Sequence, residues 1–462
     1  MGVPFLLAFL KANIYSNNII NAFELVQKNV IFKESYIYFF KFMFEKKRQE
    51  FIFVFSKIYS EYPDGLADIL GKAFQICETS VIESFLDIGP NTLEIIQSAV
   101  YGIVCSIKSY DYSVNIENII FLITQEDKYP YLKSMISFFR YVIAIYHIYL
   151  TIDYAEAERQ TQIASKELNN NNLSDKGYLI HSFQVISAIV LRNRGHISRA
   201  EKLLVESNQY FQQYDQIEEF YYITLELGSV LREQTNFDRA ANIYEKVDIN
   251  KISHYPILHQ RLILQTGIIY KNKMQELLHS FNRDNLKKET VLAYREKAIQ
   301  NFKELINWNN CKELILIEAK TELAETLILS SQVVGSDLCI KELLDNIREL
   351  LKNINAPHRI LQLMRIEANY YEVEGNIGMA LDILYKAKGI AEKYELPFRV
   401  FECNYQIAHM IARRTEQYSV KIISEGIEAI NAAIHFCETE INSSTYLKEC
   451  LSCREKLEAV KN

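Results

Sequence analysis

Three cations recur at a fixed interval in this chain. Arg192 is followed by Arg232 after 40 residues and by Lys271 after 39 more, and Asn193 and Asn272 stand beside two of them. A guanidinium offers a fork of donors that fits a carboxylate, and an Asn side chain can pair with a peptide backbone. On one surface these residues would form a basic ridge for an acidic protein segment or peptide. Helix chemistry offers a plainer reason for them. Each falls in the last turn of a helix, where a cation gains about 0.3–1 kcal/mol from the macrodipole. The equivalent later positions are Ile328, Glu372 and Ala412, so an anionic ligand is expected against the first half of the array.

Other reactive residues form no constellation. Cys450 and Cys453 make a lone thiol pair, without the further ligands of a structural zinc site or the βαβ setting of a redox pair. They read as packed helix residues. The nine histidines are scattered, without an HExxH pattern, and His409 is a lone candidate on the same wall as the ridge. No G-x-x-x-x-G-K-[ST] loop is present to cradle a nucleotide. The 30 Tyr and 25 Phe lack the interleaved basic residues of a single-strand stacking groove, so they read as packing. Enzymatic activity is therefore not expected, nor a cofactor or metal.

The elements that carry the ridge repeat with it. Ser187–Ser207 reads SAIVLRNRGHISRAEKLLVES, and Leu227–Val247 reads LGSVLREQTNFDRAANIYEKV. Ala188 and Gly228 stand in the middle of a first helix, a turn follows, and Ala200 and Ala240 open a second helix. Small residues at such positions let two helix backbones approach closely. The same pairing continues with Gly267 and Ala298, with Ala324, with Ala368 and Ala380, and with Ala408. A fixed internal period marks a stacked-repeat architecture. Met274–Lys288 is an insertion against this period, and it reads as helix that lengthens both members of its pair.

Composition agrees with long helices. Of 462 residues, 49% are hydrophobic, and 14 Gly with 7 Pro leave few turn-formers for a sandwich or barrel. The net charge of −7 lacks the broad basic footprint of a nucleic-acid binder. Eight scattered cysteines show no disulfide framework, which suits a reducing cytoplasm. Met1–Leu10 lacks a basic start and a cleavage site, so it is a poor signal peptide. The apolar run Ile136–Leu150 is broken by Arg140 and His147 and is shorter than the ~20 residues of a membrane helix, so it reads as buried.

Three regions are expected: an N-terminal helical block over 1–115, a repeat superhelix over 116–440, and a charged capping helix over 441–462. Within the first, helices are read over 1–40 and Glu45–Tyr59. The run Ile103, Val104, Cys105, Ile107, Tyr110, Tyr112 and Val114 reads as a hairpin, so that the block takes the rhythm of a winged helix.

The pattern Ala188, Gly195, Ala200, Ser207 and the pattern Ala368, Tyr371, Gly375, Ala380, Ala387, Pro397 resemble the tetratricopeptide repeat. The resemblance covers roughly 141–440, with a period near 40 in place of the family's 34. It implies an all-α fold, a right-handed α-solenoid whose first helices line a concave wall. Repeats of this length are similar to those in the sensor arms of bacterial signal-transduction ATPases, including the maltose-regulator group. Gly2-Val3-Pro4 followed by the 41–115 block resembles the segment that joins their ATPase to the arm. The resemblance implies a non-catalytic scaffold that binds a protein or peptide, working with a separate ATPase or regulator. A second expectation is a cytoplasmic receptor for a short signalling peptide that controls a transcription factor or phosphatase.

Overall fold

The computed structural model describes residues 63–462, apart from 109–110, 112, 152, 171–175, 280–284, 336–338, 353, 355, 442 and 462. The helices expected over 1–40 and Glu45–Tyr59, and the Gly2-Val3-Pro4 segment, lie outside the described residues. The described chain is all α, with no strand, and is built as an α-solenoid of consecutive helices that pack on their neighbours. By packing it divides after Ile186 into two compact units.

In the first unit, α1 (Pro63–Gln75) packs on α3 (Leu93–Lys108), with α2 (Thr79–Leu86) between them in sequence. The strand expected over Ile103–Ile107 is corrected here, because these residues continue α3, while Tyr110 and Tyr112 of the expected hairpin lie outside the described residues. The apparent alternation arises because α3 is buried on most of its circumference: Ile103, Val104, Ser106 and Ile107 are all inside. Its open stripe runs through Glu94, Gln97 and Tyr101 to Cys105, so within 103–107 no charged residue marks the helical period. Next, α4 (Glu117–Thr124) carries the buried Asn118. Its Nδ2 donates to the carbonyls of Phe74 (2.6 Å) and Cys77 (2.9 Å), satisfying carbonyls that the end of α1 leaves open.

The apolar run 136–150 forms α5 (Ile136–Tyr146) and a π turn, paired with α6 (Tyr154–Asn170). Arg140 reaches Glu167 at 2.7 Å and Gln160 at 3.1 Å on α6, so its charge is matched within the protein. Among the described residues, no helix is long and apolar enough to cross a membrane.

The second unit holds the repeats. Its first helices are α7 (Lys176–Asn193, which begins before the division), α9 (Ile217–Glu233), α11 (Pro256–His279), α13 (Glu313–Val334), α15 (Pro357–Val373), α17 (Pro397–Ala412) and α19 (Ser444–Lys461). Their partners are α8 (Ile197–Gln213), α10 (Phe237–Glu245), α12 (Asn285–Ile306), α14 (Ile340–Leu351), α16 (Ile377–Lys393) and α18 (Val420–Phe436). Proline opens α11, α15 and α17, where the missing N–H costs no hydrogen bond. The insertion lengthens its pair, since α11 spans 24 residues and α12 spans 22.

The small residues read as crossing points are all buried. Ala188, Ala200, Ala240, Ala298, Ala324, Ala368, Ala380 and Ala408 are fully inside. Gly228 is the tightest of these approaches, because a Cβ there would stand 2.2 Å from the ring of Tyr244 on α10. The turns share one design. His196, Gln216, Asn236, Asn376 and Leu396 each donate a backbone N–H to the carbonyl five residues earlier. The residue before each has positive φ: Gly195, Asp215, Thr235, Gly375 and Glu395. This Schellman closure satisfies terminal carbonyls and reverses the chain in two or three residues.

Candidate functional site

The first helices of the repeats pack side by side, and their facing side chains form a continuous charged wall. Arg192 sits between two carboxylates of the next first helix. Its Nη1 donates to Glu226 at 2.9 Å, and its Nη2 and Nε donate to Glu233 at 2.7 and 3.0 Å. From the other side Arg261 of α11 also pairs with Glu226. Lys271 Nζ lies 2.6 Å from Glu322 and pairs with Glu325, both on α13. Arg359 of α15 pairs back to Glu318 of α13, and Arg365 reaches forward to Glu402 of α17 at 2.5 Å.

These pairs follow a rule. α7, α11 and α15 present cations to the wall, while α9, α13 and α17 present carboxylates. Each first helix therefore meets a neighbour of opposite sign. Three exceptions break the pattern: Glu372 on α15 accepts from Arg413, just past α17, at 2.9 Å, Arg232 lies on the acidic helix α9, and Arg399 on α17 pairs with Glu402 of its own helix at 2.6 Å.

Burial makes these pairs matter. Burial alone would raise the Glu226 carboxyl, but Arg261 and Arg192 more than offset it and hold it below the usual carboxylate range. Burial likewise works to lower the Lys271 ammonium, and Glu322 and Glu325 reverse the direction and raise it. Glu402 is held low in the same way by Arg365 and Arg399, against its own desolvation. Ion pairs of this kind roughly offset their desolvation cost, and losing one partner is what costs.

His358, at the start of α15, is treated differently. Burial drives its pKa well below the ordinary 6.5, and Arg399, Arg359 and Arg192 push the same way. The folded protein thus leaves this ring neutral at pH values where the unfolded chain protonates it. This contribution is complete above about pH 6.5 and is lost as pH falls below it, by up to about 1.4 kcal/mol per pH unit. His358→Asn is expected to shrink the drop in thermal midpoint between about pH 7.5 and about pH 5.5. An unchanged drop would place the acid sensitivity in other groups.

The five ridge residues have different environments. Arg192 and Lys271 are saturated by carboxylates. Asn193 donates to the carbonyl of Ile189 in its own helix at 2.8 Å, and Asn272 is half-buried beside Lys271. Arg232 stands apart. It is half-buried, and its Nε is shielded from solvent with no hydrogen-bond partner among the described residues. His409 packs on Tyr405, with ring centroids 4.2 Å apart.

The carboxylates of the wall had a signal in the sequence. Glu318, Glu322 and Glu325 are spaced i, i+4, i+7, and Glu226 and Glu233 i, i+7, which puts each set on one helix face. All eight cysteines are free thiols, and Cys450 and Cys453 are buried in α19. Burial raises the Cys453 thiol to about 11, which suits packing and disfavours reactivity. Among the described residues no cluster of His, Cys, Asp and Glu could hold a metal ion.

No protein-family model matches the chain, and no curated protein matches it. Among solved structures, a monomeric mutant of IFIT1 with m7Gppp-AAAA aligns over 96% of this chain and 89% of that chain, at 13% identity and a TM-score of 0.46. An IFIT1 monomeric mutant with Gppp-AAAA aligns over 97% and 91%, at 13% identity and 0.44. A human IFIT1 dimer with PPP-AAAA aligns over 88% and 89%, at 13% identity and 0.40.

Proposed function

We propose that the repeat array is a non-catalytic scaffold that binds a protein or peptide through its first-helix wall, with Arg232 as the anchor for an acidic group. The observation that carries this reading is the contrast among the three periodic cations. Arg192 and Lys271 are each held between two carboxylates, while Arg232 has none among the described residues and keeps a shielded donor without a partner there. A buried donor left unpaired carries a desolvation cost of about 1–3 kcal/mol, and a ligand carboxylate would remove it. The rest of the wall alternates in sign, which suits a mixed-charge polypeptide better than a uniform polyanion. Repeats of this length further suggest a sensor arm acting with a separate ATPase, in which the bound partner is passed on as a change in superhelix curvature.

The test is capture of partners from cell extract with the full chain and with Arg232→Glu. Lys246→Glu, an exposed reversal of equal charge, is the control. Recovery of a specific polypeptide is expected to fall about tenfold or more with Arg232→Glu and to hold with Lys246→Glu. Equal recovery with all three proteins would refute the anchor.

A further inference from the structure

The second unit touches itself at a place its repeat pairing does not require. The turn after α7 meets the π turn Cys437–Ile441 that follows α18. His196 Nδ1 stands 2.5 Å from Glu440 Oε2. The next turn along joins the same segment, where the Thr235 and Ser443 hydroxyls lie 3.2 Å apart across 208 residues. Between these polar contacts, the ring of Phe436 covers Gly195.

The glycine marks this contact as a fitted one. The Schellman position with positive φ is filled by Asp215, Thr235 and Glu395 at equivalent turns, so backbone conformation alone accepts a side chain there. At Gly375 a Cβ would meet nothing within 4 Å. At Gly195 it would stand 2.3 Å from the Phe436 ring. That ring cannot easily move aside, since it stacks on Phe401 with centroids 5.5 Å apart. Gly195 therefore answers to a partner at the far end of the unit.

The contact is also slight. His196 and Glu440 are 34% and 26% exposed, so solvent screens their attraction. The hydroxyl pair and one ring face add little beside the continuous apolar packing between repeats. Across the interior that it closes, Arg192 of α7 lies near enough to act on His358 of α15, and Glu233 of α9 acts on Tyr446 of α19.

We infer that Gly195, His196 and Thr235 with Phe436, Glu440 and Ser443 form a clasp that closes the array over its charged wall and releases to admit a partner. The admission of a partner rests on the binding-scaffold reading; the clasp does not.

Hydrogen exchange on the full chain without any partner tests the clasp. Gly195→Asn keeps a residue that tolerates positive φ and places atoms where Phe436 stands. Gly375→Asn makes the same change at a turn facing open space. Exchange at residues 437–441 is expected to quicken at least tenfold in Gly195→Asn, with α13 and α14 unchanged, and to keep its wild-type rate in Gly375→Asn. Phe436→Leu, which retains a half-buried apolar side chain without the ring, is expected to quicken the same segment and serves if Gly195→Asn does not fold. Wild-type exchange at 437–441 in Phe436→Leu, or an equal response of the two glycine variants, would overturn the clasp. Partner capture then separates the two readings. Open variants that capture no more than wild type overturn the gating role. Capture that is indifferent to Arg232→Glu while exchange still responds refutes the anchor and leaves the clasp standing.

Discussion

Replacing Glu226 with alanine is expected to destabilise the second unit by about 3–5 kcal/mol, the cost of stranding buried charges. The residue is 5% exposed and is shared by Arg192 on one side and Arg261 on the other. Removing it takes one carboxylate from each of the two arginines, Arg261 and Arg192. Glu226→Gln keeps the shape and an acceptor oxygen, so it should cost less than the alanine. The measurement is urea unfolding followed by circular dichroism, with exchange reporting which helices open first. Since Glu226 is held low by its two arginines, its share of stability is present above about pH 4.5 and is lost as pH falls through the folded value. The wild type and Glu226→Ala should therefore converge in strong acid. A loss below about 1 kcal/mol, the scale of surface pairs, would show that the wall is wetter than its burial implies.

The second large effect is steric. Gly228→Ala is expected to cost about 3 kcal/mol, at the upper end for an added methyl group in a packed core. The added carbon would overlap the Tyr244 ring, which is 4% exposed and cannot swing into solvent without opening α9 from α10. Pairing it with Tyr244→Leu should recover part of the loss, so the two substitutions will be less damaging together than their sum. Strict additivity in that cycle would mean the collision is relieved elsewhere.

The residues explain which features could be read without coordinates. Ala188, Ala200, Gly228 and Ala240 announce their role because a helix crossing needs a small side chain at a set place in every repeat. The cations were visible for the same reason, since they keep the period. Their carboxylates were not paired with them because the contacts span 34 to 54 residues, a spread widened by the long α11 and α12. A search for one fixed spacing passes over such pairs. The strand reading of Ile103–Ile107 failed because the open stripe of α3 falls there on Cys105 alone, so no charged side chain reveals the helical period. The contact of Gly195 with Phe436 leaves no trace in either local sequence, as each residue is ordinary in its own turn or helix.

The alternating signs of the first helices carry a constraint on the ancestry of the array. Excising the single pair α11–α12 would set the acidic α9 against the acidic α13, with Glu226 and Glu233 facing Glu318 and Glu322. Excising two consecutive pairs would instead bring α9 against the basic α15 and restore attraction. The unit of copying or loss that preserves this wall is thus a double repeat of four helices. Growth or loss by one helical hairpin would instead set like charges against each other across a partly buried wall.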